Sequence, residues 1–540
     1  MQLFSFLLKS SRMLVTIAIV TGFLSGISSA GLIALISRSI GSGGVAVGNI
    51  AGAFVGLAIV SLITSVISQL VLIQLAQDAV FNLRMQLGRQ ILSSELAHLE
   101  QVGNARLLAT LTEDVQTVAT AVSAFPFICI DLATILGCFV YIAWLSWIVF
   151  AMVMVVFVFA IVTCEWMLGQ ARRRMVYARE DQDLLFKDFR SITDGIKELK
   201  LHYPRRQTFL KDNLQATSGS FRRHNIDALI YFAAAASWGK LIFFFAIGFV
   251  IFALPNLFAV SLQTMSGYVL TFTYIMMPID KIVIKLPILS QASVSIDKIK
   301  ALGLALKDRS ELVTVPGAID PNWRSLELRH VSHTYRGSED HQFTLGEINL
   351  TLHQGEIVFI VGGNGSGKST LAKLITGLYA PDLGAIYLDE QPITDQNREW
   401  YRQHFSTIFA DFYLFDRLLG IDTPDLDAQA HVYLKQLQLD HKVRIVNGQL
   451  STTELSQGQR KRLTLLTAYL EDRPIYLFDE WASDQDPIFR ELFYTEFLPK
   501  LKHRGKTVLV ISHDDHYFRV ADRLIKLDYG QIEYDRRIDC

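Results

Sequence analysis

EIVFIVGGNGSGKSTLAKLITGL, residues 356–378, decides the fold of the second half of the chain. It opens with an apolar run of strand type, crosses a glycine-rich loop from Gly362 to Ser369, and resumes near Lys368 with helix formers. The spacing GxxxxGK[ST] is met by Gly362, Gly367, Lys368 and Ser369. Glycines let backbone N–H groups converge on phosphate oxygens, and the helix N-terminus adds partial positive charge. A lysine so placed reaches the β and γ phosphates, and the hydroxyl after it ligates Mg²⁺. Gly362, Gly363, Asn364, Gly365, Ser366, Gly367, Lys368, Ser369 and Thr370 are therefore the expected ATP-binding loop, with ATP and Mg²⁺ as the cofactors.

Working outward, short β-rich runs alternate with helical segments from about residue 306 to 540, after an entry punctuated by Val315, Pro316 and Gly317. That pattern is an α/β domain. Within it RPIYLFDEW (473–481) reads as a buried strand ending in two adjacent carboxylates, 111 residues after Lys368. Alternation along the strand points the two differently. Asp479 is expected to hold the Mg²⁺ shell and Glu480 to polarise the attacking water as general base.

The first half, residues 1–305, has another character. Of all 540 residues 51% are hydrophobic, and the mean hydropathy of +0.29 is high for a soluble chain. Six apolar stretches, at about 13–37, 50–77, 119–143, 145–167, 227–254 and 258–280, are long enough to cross a hydrocarbon core about 30 Å thick. Breaks are expected at Trp144, Ser146 and Trp147, and again at Leu254, Pro255 and Asn256. Lys9, Arg12, Arg84, Arg89, Arg172, Arg173, Arg174, Lys281 and Lys285 flank the spans on one side, which the positive-inside rule makes cytoplasmic together with both termini. A net charge of −1 gives no field favouring nucleic acid. Cys129, Cys138, Cys164 and Cys540 form no disulfide or metal spacing and read as packing. Asp131 and Lys240 lie inside apolar stretches, where a charge costs at least about 2.5 kcal/mol. They either line a polar cavity or pair within the bundle; Trp238, Tyr268 and Tyr274 either add an aromatic wall for a bulky cargo or pack.

LSQGQ, Leu455, Ser456, Gln457, Gly458 and Gln459, makes the resemblance specific: it matches the signature of ATP-binding cassette proteins. The chain resembles a type IV exporter half-transporter, an all-α six-helix transmembrane domain followed by an α/β P-loop cassette. The resemblance implies a homodimer in which Ser456 and Gly458 contact the γ-phosphate of ATP bound to the opposite subunit. It also implies a D-loop role for Asp486, a switch-histidine role for His513 in catalysis, and stacking of Tyr335, 33 residues before Lys368, on adenine. LEQVGNARLLATLTEDV (99–115) and DFRSITDGIKELKLH (188–202) look like the two intracellular elbows. One departure stands out. The Q-loop glutamine is replaced by Ala410 in IFADFYLFD (408–416), and Asp411 is the candidate to take over part of its task.

GIKELKLH (195–202), LSQGQRKRL (455–463) and LFDEWASDQDPIFR (477–490) look like the bacterial cyclic peptide exporter family. That resemblance implies export of a cyclic or modified peptide or siderophore precursor across the bacterial inner membrane, with membrane lipid as the other partner. A lipid or lipopeptide flippase would share every ATP motif, and a membrane ATPase that regulates a partner without transport is the rival from another class.

Overall fold

The computed structural model describes residues 12–41, 47–257, 262–308, 311, 317–336, 342–421, 423 and 425–538. Lys9, Val315, Pro316 and Cys540 lie outside the described residues. The chain divides into two compact units, Met1–Leu87 with Ala109–Ala301, and Gly88–Leu108 with Leu302–Cys540. Where the sequence assigns 1–305 to one domain, the structure groups the first elbow with the cassette.

The first unit is helical. Its long helices are Arg12–Gly41, Val47–Leu92, Val115–Leu145, Trp147–Asp194, Gln215–Gly248 and Leu262–Asp308. Among the described residues five helical stretches are long and apolar enough to cross a membrane: Val20–Ser39, Ala51–Leu92, Arg106–Leu145, Trp147–Asp194 and Tyr203–Asn256. The sixth apolar stretch starts at 258–261, outside the described residues, and continues on the Leu262–Asp308 helix, which holds Pro278 and Pro287 in its interior. The chain turns at Ser146, whose backbone is extended. Leu254, Pro255 and Asn256, expected as a break, are helical instead. Val250 and Leu254 are fully buried in the bundle core beside Tyr268, and packing of that kind overrides local punctuation.

Beyond the apolar stretches the helices run on as polar extensions. Asp181 bonds His224 at 2.6 Å and Ser220 at 3.0 Å, and Arg174 bonds Asp227 at 2.9 Å, tying Trp147–Asp194 to Gln215–Gly248. The second elbow is the segment Ile196–Leu201, which buries none of its residues within this unit.

The second unit carries two sheets. A four-stranded antiparallel sheet runs in the order Gln342–His353, Ser325–Arg336, Leu383–Leu388, Gln391–Pro392. A six-stranded sheet runs Gln531–Arg537, Arg523–Asp528, Ile357–Gly362, Thr507–Ile511, Ile475–Asp479, Phe405–Ile408, parallel except for its first, edge strand. Parallel sheets are covered on both faces, and this one shows it in the period-two burial of a single strand. Ile357, Phe359 and Val361 enter one core, while Val358 and Ile360 enter the other.

Candidate ATP site and its surroundings

Register builds the site. Ile511 is aligned with Ile360 on one side and Asp479 on the other, so three neighbouring parallel strands end together. Ligands in open α/β sheets bind outside such carboxyl ends. The loop beginning at Gly362, the pair Asp479 and Glu480, and His513 are thereby delivered to one edge. Ile408 pairs with Phe478 on the next strand over, which places Ala410 beside Asp479.

Gly362 has φ +155°, and a Cβ there would meet the Leu527 carbonyl oxygen at 2.3 Å, so no side chain fits at the loop's entry. Lys368 heads the Lys368–Ile375 helix and donates to the carbonyls of Gly362 at 3.0 Å and Gly363 at 2.9 Å, closing the loop on itself. Burial pushes its ammonium below the usual lysine range, opposed by the charges of Glu480 and Asp479. Burial likewise raises the Asp479 carboxyl; the Ser369 hydroxyl that bonds it, the Lys368 charge and the Ala410 backbone N–H all oppose, while Glu480 adds to the rise. The residues fit a divalent cation: Ser369 and Asp479 already face each other, and the buried Ser366 hydroxyl has no partner among the described residues. Gly363, Asn364, Gly365 and Thr370 complete the loop and first helical turn.

Glu480 sits in left-handed backbone at φ +50°, its N–H bonded to the Ile511 carbonyl, and its carboxylate lies 3.2 Å from His513 Nε2. Acid and imidazole thus meet at the sheet edge, half exposed. Tyr335 lies near the end of its strand opposite Phe343, 40% exposed, as an aromatic free to stack would be.

The signature is a helix start. Ser456 caps the Gln457–Glu471 helix, and Ser456 and Gln459 close a capping box in which each side chain accepts the other's backbone N–H. Gly458 packs so tightly that a Cβ would lie 2.7 Å from the Asp484 carbonyl oxygen. Leu455 packs against the core, and Gln457 donates to Asp484. Asp486 caps Pro487–Leu492 and pairs with Arg462 of the signature helix; its bond from the Phe489 N–H, with Arg462 assisting, holds its carboxyl below the usual range.

Two findings lay outside the sequence reading. The first elbow, Leu96–Val102, turns at Gly103 with φ +82° and packs Leu96 and Ala97 on the cassette core. Its Glu100 bonds Lys373 of the phosphate-loop helix at 2.7 Å and also accepts from the Tyr379 hydroxyl. Glu311 pairs with Arg402 and takes the Ser93 carbonyl through its own N–H at 2.6 Å. Spacing gives no signal for either, because the partners lie far apart in the chain, 273 residues for Glu100 and Lys373 and 91 for Glu311 and Arg402. As for the Q-loop position, Ala410 reaches Asp479 through its backbone alone, and Asp411 is exposed.

The membrane residues separate into two groups. Asp131 and Tyr274 line one cavity of about 710 Å³. Trp238, Lys240 and Tyr268 do not line it. Trp238 donates to Thr163 at 3.0 Å, Lys240 pairs with Asp280 at 2.9 Å, and buried Tyr268 donates to the carbonyls of Ile142 and Ser146. Each has a polar partner within the bundle.

A phosphate loop, a paired-carboxylate strand and a capped signature helix on one α/β unit, behind an apolar helical unit, define an ATP-binding cassette transporter. Residues 345–483 match the family described as ABC transporter, and residues 12–279 match the ABC transporter transmembrane region. The chain belongs to this family: it is a multi-pass membrane protein whose ATPase is coupled to export. It is 37% identical over 530 residues to the ATP-binding protein SyrD of Pseudomonas syringae pv. syringae, covering 96% of this chain and 93% of that one. An ATP-dependent lipid A-core flippase of Thiobacillus denitrificans is 24% identical over 88% of this chain and 84% of its own. The nisin transport ATP-binding protein NisT of Lactococcus lactis subsp. lactis is 29% identical over 39% of this chain and 37% of its own. In fold, the chain is similar to a bacterial Atm1-family ABC exporter with ATP bound, with a TM-score of 0.75, 16% identity, and 97% and 95% of the two chains covered.

Proposed function

We propose that two copies of this chain export an amphipathic peptide from the cytoplasm across the bacterial inner membrane, driven by ATP hydrolysis. Ser369 and Asp479 would hold Mg²⁺, which screens the phosphate charge when bound. Lys368 and the loop N–H groups bind and orient the phosphates, Glu480 takes the proton of the attacking water, and His513 holds Glu480 in place. Ser456 and Gly458 serve the partner copy's nucleotide, so two equivalent composite sites form. The cavity carries the preference for a peptide. Its wall is rich in hydroxyls, with Ser25, Ser29, Ser61 and Ser65 beside Asp131, and so suits a cargo with many hydrogen-bonding groups. A relative named for nisin transport agrees with this.

Lipid flipping is the second reading, favoured by the full-length similarity to a lipid A-core flippase. Reconstitution into proteoliposomes decides between them. ATP-dependent accumulation of a peptide inside inside-out vesicles is expected; stimulation by lipid alone, with no peptide accumulated, would overturn the peptide assignment. Mixing Lys368→Ala with Ser456→Arg subunits leaves one intact composite site in each heterodimer, and nucleotide trapping should return there. No trapping in verified heterodimers would refute sites shared between subunits.

A further inference from the structure

The membrane cavity holds an unsettled charge balance. Asp131 is only 9% exposed and lines the cavity, and among the described residues its buried Oδ2 has no hydrogen-bond partner. A buried carboxylate oxygen left unmet loses its hydration for nothing. Across from it stand Lys281 and Lys285, one helical turn apart on one face of the Leu262–Asp308 helix, where like charges oppose each other. Lys285 rests its ammonium 4.8 Å from the centre of the Phe127 ring, and both lysine charges act on Asp131 without closing an ion pair among the described residues. Two cations thus face one anion.

Part of the remaining wall is paired within itself. Ser29 and Ser61 bond each other at 3.2 Å, and Gln69 donates to Ser65 at 3.3 Å. What the cavity lacks is one anion near the lysines and one N–H donor near Asp131. A carboxylate with an amide N–H beside it supplies both, and such a group ends any linear peptide and flanks any acidic residue. A volume of about 710 Å³ falls within the range of small-molecule sites, about 300–1,000 Å³. Lysines that merely anchored the helix at the lipid surface would leave Asp131 unexplained.

We propose that Lys281, Lys285 and Asp131 form a carboxylate-recognising cargo subsite, the lysines taking the carboxylate of an amphipathic peptide and the Asp131 carboxylate accepting the neighbouring amide N–H. The proposal rests on the peptide-export reading and narrows it to acidic cargo.

The test uses the full chain in phosphatidylcholine nanodiscs without nucleotide, and a fluorescent amphipathic hexapeptide offered with a free C-terminal carboxylate or as its amide. The acid should bind at least about tenfold more tightly than the amide, the worth of one charge-assisted hydrogen bond. Lys281→Gln with Lys285→Gln should erase that preference, and Lys281→Arg with Lys285→Arg should keep it, which separates charge from folding. Asp131→Ala should weaken acid and amide alike. Equal binding of the two forms, binding of neither, or a preference that survives the glutamine pair would overturn the subsite. Displacement of the acid by added phosphatidylglycerol would do the same, assigning the lysines to a lipid phosphate. Accumulation of the acid in proteoliposomes is scored separately. Accumulation without preference sinks the subsite and spares export; preference without accumulation sinks export and spares the subsite.

Discussion

In the cassette, Lys368, Asp479, Glu480 and His513 come from three strands that end at one sheet edge; in the membrane unit, Ser29, Ser61, Asp131 and Lys281 come from four helices. The difference is one of geometry. A parallel sheet locks neighbouring residues by hydrogen-bond register, so a loop following one strand and a carboxylate ending another must meet. A helix offers its cavity one face, and which residue of that face looks inward depends on the rotation of every neighbour. Hence a cassette motif is legible as a string, whereas a transport cavity is a coincidence of faces.

The sharpest way to break the comparison is at Glu480. Glu480→Gln should lower ATP turnover by about a hundredfold or more while nucleotide still binds, because the proposed base is lost and the proposed phosphate contacts stay. Turnover measured beside equilibrium nucleotide binding checks it; unchanged hydrolysis would take the base role from Glu480. Next in size, Lys368→Ala should raise the ATP dissociation constant about tenfold or more through loss of a charged donor. An undiminished affinity would show that the loop N–H groups suffice.

Smaller effects probe the first elbow, which the second unit includes, and the Q-loop position. Glu100→Gln removes the half-buried pair with Lys373 on the phosphate-loop helix. It should cut peptide-stimulated ATPase about threefold to tenfold, with the basal rate within about twofold. The swap Glu100→Lys with Lys373→Glu should restore part of the stimulation, and a swap that restores none would reduce the pair to simple docking. The smallest change is expected at the Q-loop position. Ala410→Gln and Asp411→Ala should each move the basal rate by no more than about twofold, since Ala410 serves Asp479 by its backbone and Asp411 is an exposed surface group. A collapse of stimulation in Asp411→Ala would instead bring that charge into the coupling route.

Legibility followed the same division. Gly362 to Thr370, Asp479 with Glu480, and the LSQGQ helix start could be read in place because local physics demands those residues there: no Cβ fits at Gly362, and Ser456 caps a helix with Gln459. Asp131 stood out as a charge in an apolar run, yet nothing in the string separated it from Lys240, whose charge the bundle absorbs through Asp280. Tyr268, open between a cargo aromatic and packing, is a buried strut that donates to two carbonyls at the Ser146 turn. Pro255 looked like a break and is helical, because Val250 and Leu254 are buried beside it.

By itself, then, the sequence determined an apolar helical half, an α/β cassette and the strand, glycine-rich loop and helix at its centre, since length, hydropathy and loop spacing act over a few residues and leave one arrangement open to them. Tertiary structure alone decided which intramembrane charges face a cavity, that Glu100 meets Lys373 across 273 residues of chain, and that the Ala410 backbone N–H bonds Asp479. Those outcomes depend on helix rotation and strand register, which are fixed by the packing of the whole unit and written in no single stretch of it.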